Sequence, residues 1–152
     1  MAALLSPADF RTRSVMPTED VDALEAQYPG LVAKLIGGRE AWMHARLAKR
    51  YAVPFDAASP PEVALEWVTA LVTIALYMRR GFNPSSEQDN LIVSEANRAQ
   101  TEILEAANSE TGLFELPLRQ DAPSVGGAIG AEPFGYSEAT PYDWLDVQRG
   151  CS

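Results

Sequence analysis

The sequence predicts an all-α protein, a small bundle of four to five helices followed by a long, mostly irregular C-terminal arm. Three observations lead there. Apolar residues recur at spacings of three and four in segments bounded by capping residues and by proline or glycine. No segment shows sustained alternation of apolar and polar residues between hairpin signals, so a sheet is not expected. From Leu116 the chain reads LPLRQDAPSVGGAIGAEPFGYSEATPYDWLDVQRGCS, where prolines and glycines break any regular element. The expected organisation is a helical domain over residues 1–115 and an extended arm over residues 116–152.

Each element has its own signal. Ser6-Pro7-Ala8-Asp9 predicts a first, short helix: Ser6 as N-cap, Pro7 at the tolerated first position, Asp9 at the positive end. Val15-Met16-Pro17 interrupts it. Thr18 is expected to cap the second helix, with Glu19, Asp20 and Asp22 suiting its dipole and Val21, Leu24 and Tyr28 forming one apolar face. Pro29-Gly30 breaks or kinks the chain. Leu31, Leu35, Gly38, Trp42 and Ala45 continue a third stripe to about Tyr51-Ala52, because Pro54 disfavours helical geometry at Val53. Gly37-Gly38 inside that stripe predicts a bend, a tight packing contact or a break, since each interior glycine costs about 1 kcal/mol relative to alanine.

Ser59-Pro60-Pro61-Glu62 opens the fourth helix, with Ser59 as its cap. Apolar residues occupy nearly all sides of VALEWVTALVTIALYMRR, so this helix is expected at the centre. Arg79 and Arg80 suit its negative end, and Gly81 stops it. After the turn Asn83-Pro84-Ser85-Ser86, the last helix is expected from about Glu87 to Asn108, with Ile92, Ala96, Ala99, Ile103 and Ala106 on one face.

Composition excludes several classes of function. With 152 residues, one domain is expected, large enough for a core without disulfides or metals. Cys151 is the sole cysteine and His44 the sole histidine, so neither an internal disulfide nor a histidine-rich metal site or triad has its residues. The start, MAALLSPADF, lacks a basic segment and a long apolar run, so no secretory leader is expected. Val63–Met78 is apolar but interrupted by Glu66 and too short for a membrane span. The net charge of −9 argues against a surface built to neutralise phosphates. The basic segment Arg46-Leu47-Ala48-Lys49-Arg50-Tyr51 reads as a helix end meeting its dipole. Glu62 and Glu66 have no Glu-x-x-His partner for a di-iron site, and Gly126–Gly130 lacks the Lys-Ser/Thr of a phosphate loop. No catalytic or metal-binding constellation is found and no cofactor is expected, so the chain reads as a protein that is not an enzyme. Trp42, Met43 and Trp67 read as core, and His44 as a polar residue at the edge of its helix.

The arm is where a binding function is legible. Phe134, Tyr136, Tyr142, Trp144 and Leu145 cluster near its end, although disordered segments are poor in aromatics. Tyrosine and tryptophan supply much of the energy at protein interfaces. A flexible spacer ending in such residues reads as an arm that docks on a partner, the bland alternative being that it folds back on its own bundle.

Three blocks give the chain a family likeness. LLSPADFRTR opens with a capped short helix. AWMHARLAKRYAVPF ends a helix in a Leu-x-x-Arg-Tyr-x-x-Pro pattern formed by Leu47, Arg50, Tyr51 and Pro54. Pro60 and Pro61 precede a very apolar helix that ends in Tyr77, Arg79 and Arg80. In these features, over about the first 108 residues, the chain resembles the head–tail adaptor (connector) proteins of tailed bacteriophages in the Mu-like prophage group. The family often has a charged, Asp/Gly-rich stretch before the Arg-Tyr helix; here only Gly37-Gly38-Arg39-Glu40 is similar to it.

The resemblance implies a structural role at the capsid–tail junction of a virion, in a protein made in the host cytoplasm. Such adaptors form a homo-oligomeric ring, usually twelve-fold, beneath the portal protein. The ring extends the DNA channel, lets DNA pass without specific binding, and receives the next neck, stopper or tail protein. The C-terminal arm is then expected to dock on the portal, anchored by Tyr136, Tyr142, Trp144 and Leu145, with no membrane involved. Two alternatives stay open: a neck stopper or tail-completion protein, and, from another class, a small helical DNA-binding or regulatory module.

Overall fold

The apolar stripes fold into five helices in a computed structural model, which describes residues 2–109 and 116–119. They are α1 (Pro7–Arg13), α2 (Thr18–Gln27), α3 (Leu31–Leu47), α4 (Glu62–Arg80) and α5 (Glu87–Asn108). The all-α bundle expected from the sequence is the observed architecture. Among the described residues the sole β-type pairing is an isolated antiparallel bridge between Tyr51 and Leu118.

Helix α4 is the central post. Ten of its residues are buried, among them Trp67, Val68, Leu71, Val72, Leu76 and Tyr77. It packs on α2, α3 and α5, while α1 lies against α3. One continuous core includes Phe10, Val21, Val32, Ile36, Met43, Leu47, Leu71 and Ile103. Trp67 and Met43 are core residues, as expected, whereas Trp42 is half-buried under the guanidinium of Arg46, 5.6 Å from its ring centroid.

The helix ends show which local signals decided. Ser6 caps α1, its side chain accepting from the Asp9 amide, and Ser86 caps α5 in the same way. Asp89 completes the α5 start by accepting from the Asn83 amide at 2.7 Å, across the turn. Two expected caps are corrected. Thr18 is the first residue of α2, with Pro17 in the cap position, and Pro61 rather than Ser59 occupies the cap of α4. Proline's fixed φ suits the entry to a helix, and the extended Pro61 leaves Ser59 outside the first turn.

Helix α3 differs from expectation at both ends and in the middle. Its N-terminus is capped from a distance by Glu25, whose carboxylate accepts from the amides of Gly30 (2.8 Å) and Val32 (3.0 Å). Gly30, at φ 77°, supplies the left-handed turn that brings those amides back to α2. The helix ends at Leu47 rather than Tyr51-Ala52, because a turn over 48–50 swings Tyr51 into the core. It runs unbroken through Gly37-Gly38, and a Cβ at either position would meet nothing within 4 Å. The expected tight contact at these glycines is therefore absent within the described residues.

A buried carboxylate fixes the N-terminal segment. Glu40 is 7% exposed, and its Oε1 accepts from the Leu5 amide at 2.9 Å. Burial raises its pKa, and the backbone hydrogen bonds of Leu5 and Leu4 oppose part of that rise.

Because Gly37 is helical and faces open space, Gly37→Ala is expected to stabilise the protein by about 1 kcal/mol. Urea denaturation of the two proteins checks this, and a lower midpoint for the variant contradicts it.

Candidate functional site

The arm residues Phe134, Tyr136, Tyr142, Trp144 and Leu145 lie outside the described residues, as does everything from Gln120 onward. The structure does show where the arm begins. Leu116 is buried in the core at 3% exposure. The Ala52 amide donates to the Pro117 carbonyl (2.8 Å), the Arg119 amide donates to the Arg50 carbonyl (3.0 Å), and Arg119 Nη1 donates to the Ala48 carbonyl (2.9 Å). The first described residues of the predicted arm, 116–119, are thus fastened to the body.

The block that receives this root contains the Leu-x-x-Arg-Tyr-x-x-Pro residues. Leu47 and Tyr51 are fully buried, and the Tyr51 hydroxyl donates to the Ala106 carbonyl at 3.0 Å, tying the end of α3 to the end of α5. Arg50 is half-buried and presents its backbone carbonyl to Arg119, while Pro54 is exposed and follows a cis peptide bond. Of the four, Arg50 holds the arm root directly, and Leu47 and Tyr51 seat the start of the α3–α4 connection in the core. His44 belongs to the same region and corrects the expectation of a surface residue. It is half-buried, its ring meets Phe55 edge-on at 5.3 Å, and its Nε2 is buried without a hydrogen-bond partner among the described residues. Burial lowers its pKa, because the imidazolium would lose water without gaining an acceptor.

A second feature has no signal in the sequence. On α4 and α5 lies a groove of about 630 Å³, floored by Trp67, Ala70, Thr73, Ile92 and Ala99. Its hydroxyls are already engaged: Thr69 Oγ1 donates to the Leu65 carbonyl and Thr73 Oγ1 to the Thr69 carbonyl, both at 2.7 Å. The rim is charged. Arg13 holds Glu62 through both guanidinium nitrogens, and that hydrogen bond raises the Arg13 pKa and lowers that of Glu62. Arg98 reaches Glu102 (3.3 Å) and Glu95 (3.6 Å), while Glu102 also accepts from the Trp67 indole at 2.8 Å. Val15 and Leu91, 68% and 62% exposed, stand at its edge.

A groove with an apolar floor, satisfied hydroxyls and a carboxylate-rich rim is suited to receiving a protein surface. Among the described residues no group of three or more His, Cys, Asp or Glu could hold a metal ion, and no helix is long and apolar enough to cross a membrane. No protein-family model matches the sequence, and no curated protein or solved structure gives a significant match.

The lowered His44 pKa sets the sign of a pH effect. The unfolded chain takes up this proton near the ordinary value of 6.5, before the folded protein does. The stability gained by keeping the ring neutral is present above that value and is lost as the pH falls from it through the folded pKa. His44→Gln is therefore expected to show a shallower loss of stability than wild type between about pH 7.5 and about pH 5. Denaturant midpoints across that range check this; parallel profiles contradict it.

Proposed function

We propose that the chain is a structural head–tail adaptor of a tailed phage or related particle. Copies of it form a ring beneath the portal, extend the channel for DNA and offer a platform to the next neck or tail protein. The helical body is the wedge of that ring, and the arm beyond Arg119 docks on the portal through Phe134, Tyr136, Tyr142, Trp144 and Leu145.

The observation that carries this reading is the anchored root. A body that clamps residues 116–119 with three backbone-directed hydrogen bonds gives an arm a fixed point of departure. That point lies against the Arg50-Tyr51 block, one of the three that carry the likeness to the adaptor family. The acidic balance agrees with a channel component, since a wall of like charge lets DNA slide without holding it.

Removing residues 120–152 is expected to leave the helical circular dichroism signal of the body intact and to abolish capture by the cognate portal. A truncated protein that binds the portal with unchanged affinity removes the arm's assigned role. In the full chain, Trp144→Ala is expected to weaken portal binding by at least about 2 kcal/mol, the loss typical of an aromatic anchor. Isothermal titration against purified portal measures it, and an unchanged isotherm counts against that residue as an anchor.

A further inference from the structure

We propose that the bundle carries two complementary faces by which each copy of the chain grips the next, head to tail. The acceptor is the α4–α5 groove, and the occupant is the exposed basic face formed by α3 and the end of α4 in a second copy. This deepens the adaptor reading and rests on it only for the closing of successive contacts into a ring.

The charges on the two faces are opposite. Glu62, Glu66, Glu95 and Glu102 line the groove, and its two arginines, Arg13 and Arg98, are already paired with carboxylates of that same rim. A second concavity, of about 660 Å³, is formed by the end of α2, the Pro29-Gly30 turn, the first half of α3 and the end of α4. Its charged lining residues are Lys34, Arg39 and Arg79, with no carboxylate among them. Arg79 lies over the exposed ring of Tyr28, 5.5 Å from its centroid, which holds a cation beside an apolar surface.

Apolar residues accompany the charges on both faces. Val15 and Leu91 project at the groove, where nothing among the described residues covers them. On α3 the basic concavity is lined by Leu31, Lys34, Leu35, Gly38 and Arg39, so apolar side chains stand between its cations.

Charge also selects among occupants. The arm beyond Arg119 contains Asp121, Glu132, Glu138, Asp143 and Asp146 against Arg149 alone, so the acidic groove repels it. The two faces share no lining residue. A contact between them joins unlike patches, and unless two copies dock reciprocally each bound pair keeps one free groove and one free basic face. Repetition of such a contact produces a ring if the rotation closes and a filament if it does not.

The test is sedimentation velocity of the full chain from about 10 μM to about 1 mM, at low and high salt. Wild type is expected to self-associate, and more weakly at high salt. Glu66→Lys and Lys34→Glu are each expected to weaken association about tenfold or more. Association is expected to return when the two variants are mixed and when both substitutions share one chain, because the exchanged charges then face each other across the contact. A wild type that stays monomeric throughout overturns the inference. So does a single variant with wild-type association, or a loss that the double variant does not restore, as when the basic face instead receives the acidic arm. Portal capture by the same proteins is read separately, so the adaptor reading can stand while this interface falls, or the reverse.

Discussion

The hydroxyl of Tyr51 needs an acceptor inside the protein, because the residue is sealed from water and an unpaired buried hydroxyl costs about 1–3 kcal/mol. The Ala106 carbonyl near the end of α5 meets that need. The turn over 48–50 that follows α3 delivers Tyr51 to it, while the Tyr51 amide still donates to the Leu47 carbonyl at 2.9 Å. The same turn exposes the carbonyls of Ala48 and Arg50 and the amide of Ala52 to residues 117–119. One buried tyrosine thus links the end of α3, the end of α5 and the root of the C-terminal segment. The bundle core supplies most of the apolar burial, but this junction decides how its last elements meet.

Charge is divided between the two sides of the body. Glu62, Glu66, Glu95 and Glu102 line the groove on α4 and α5, while Lys34, Arg39 and Arg79 line the concavity beside the Pro29-Gly30 turn. Within the chain, ion pairs bind neighbouring elements: Arg11 to Asp22, Arg13 to Glu62 and Arg80 to Asp20. These pairs are partly or largely exposed and contribute little to stability individually. Their larger effect is on the surface they leave behind. Arg13 and Arg98 are occupied by the groove's own carboxylates, whereas no carboxylate lines the concavity that holds Lys34, Arg39 and Arg79.

Much of the fold was legible because short-range chemistry governs it. Ser6 and Ser86 are true caps, Gly81 ends α4, Gly30 makes the turn before α3, and the apolar wrap of α4 marks it as central. What was not legible depends on partners distant in sequence. Glu25 reads locally as one more acid on α2, yet it caps the following helix. Glu40 and His44 look like surface residues until α3 is packed, when one meets the Leu5 amide and the other Phe55. Tyr51 fits the end of a helical stripe, but its hydroxyl bond to Ala106 overrides that local preference. The aromatic residues of the arm stand out by composition alone. The groove had no such signal, because its lining comes from the end of α1, the α1–α2 connection, α4 and α5, and no local pattern joins them.

The pairing of residues 50 and 52 with 117 and 119 has a mechanical consequence. Among the described residues, tension on the C-terminal segment is carried at Arg119 by its backbone and side-chain bonds to Arg50 and Ala48, with the Ala52–Pro117 bond just behind. Pulled along the bridge, these bonds are loaded in shear and must yield together, and Leu116 has to leave the core before the strain can pass further along the chain. The segment therefore has a tether at its base, and a load is borne first by the connection after α3 rather than by unravelling α5.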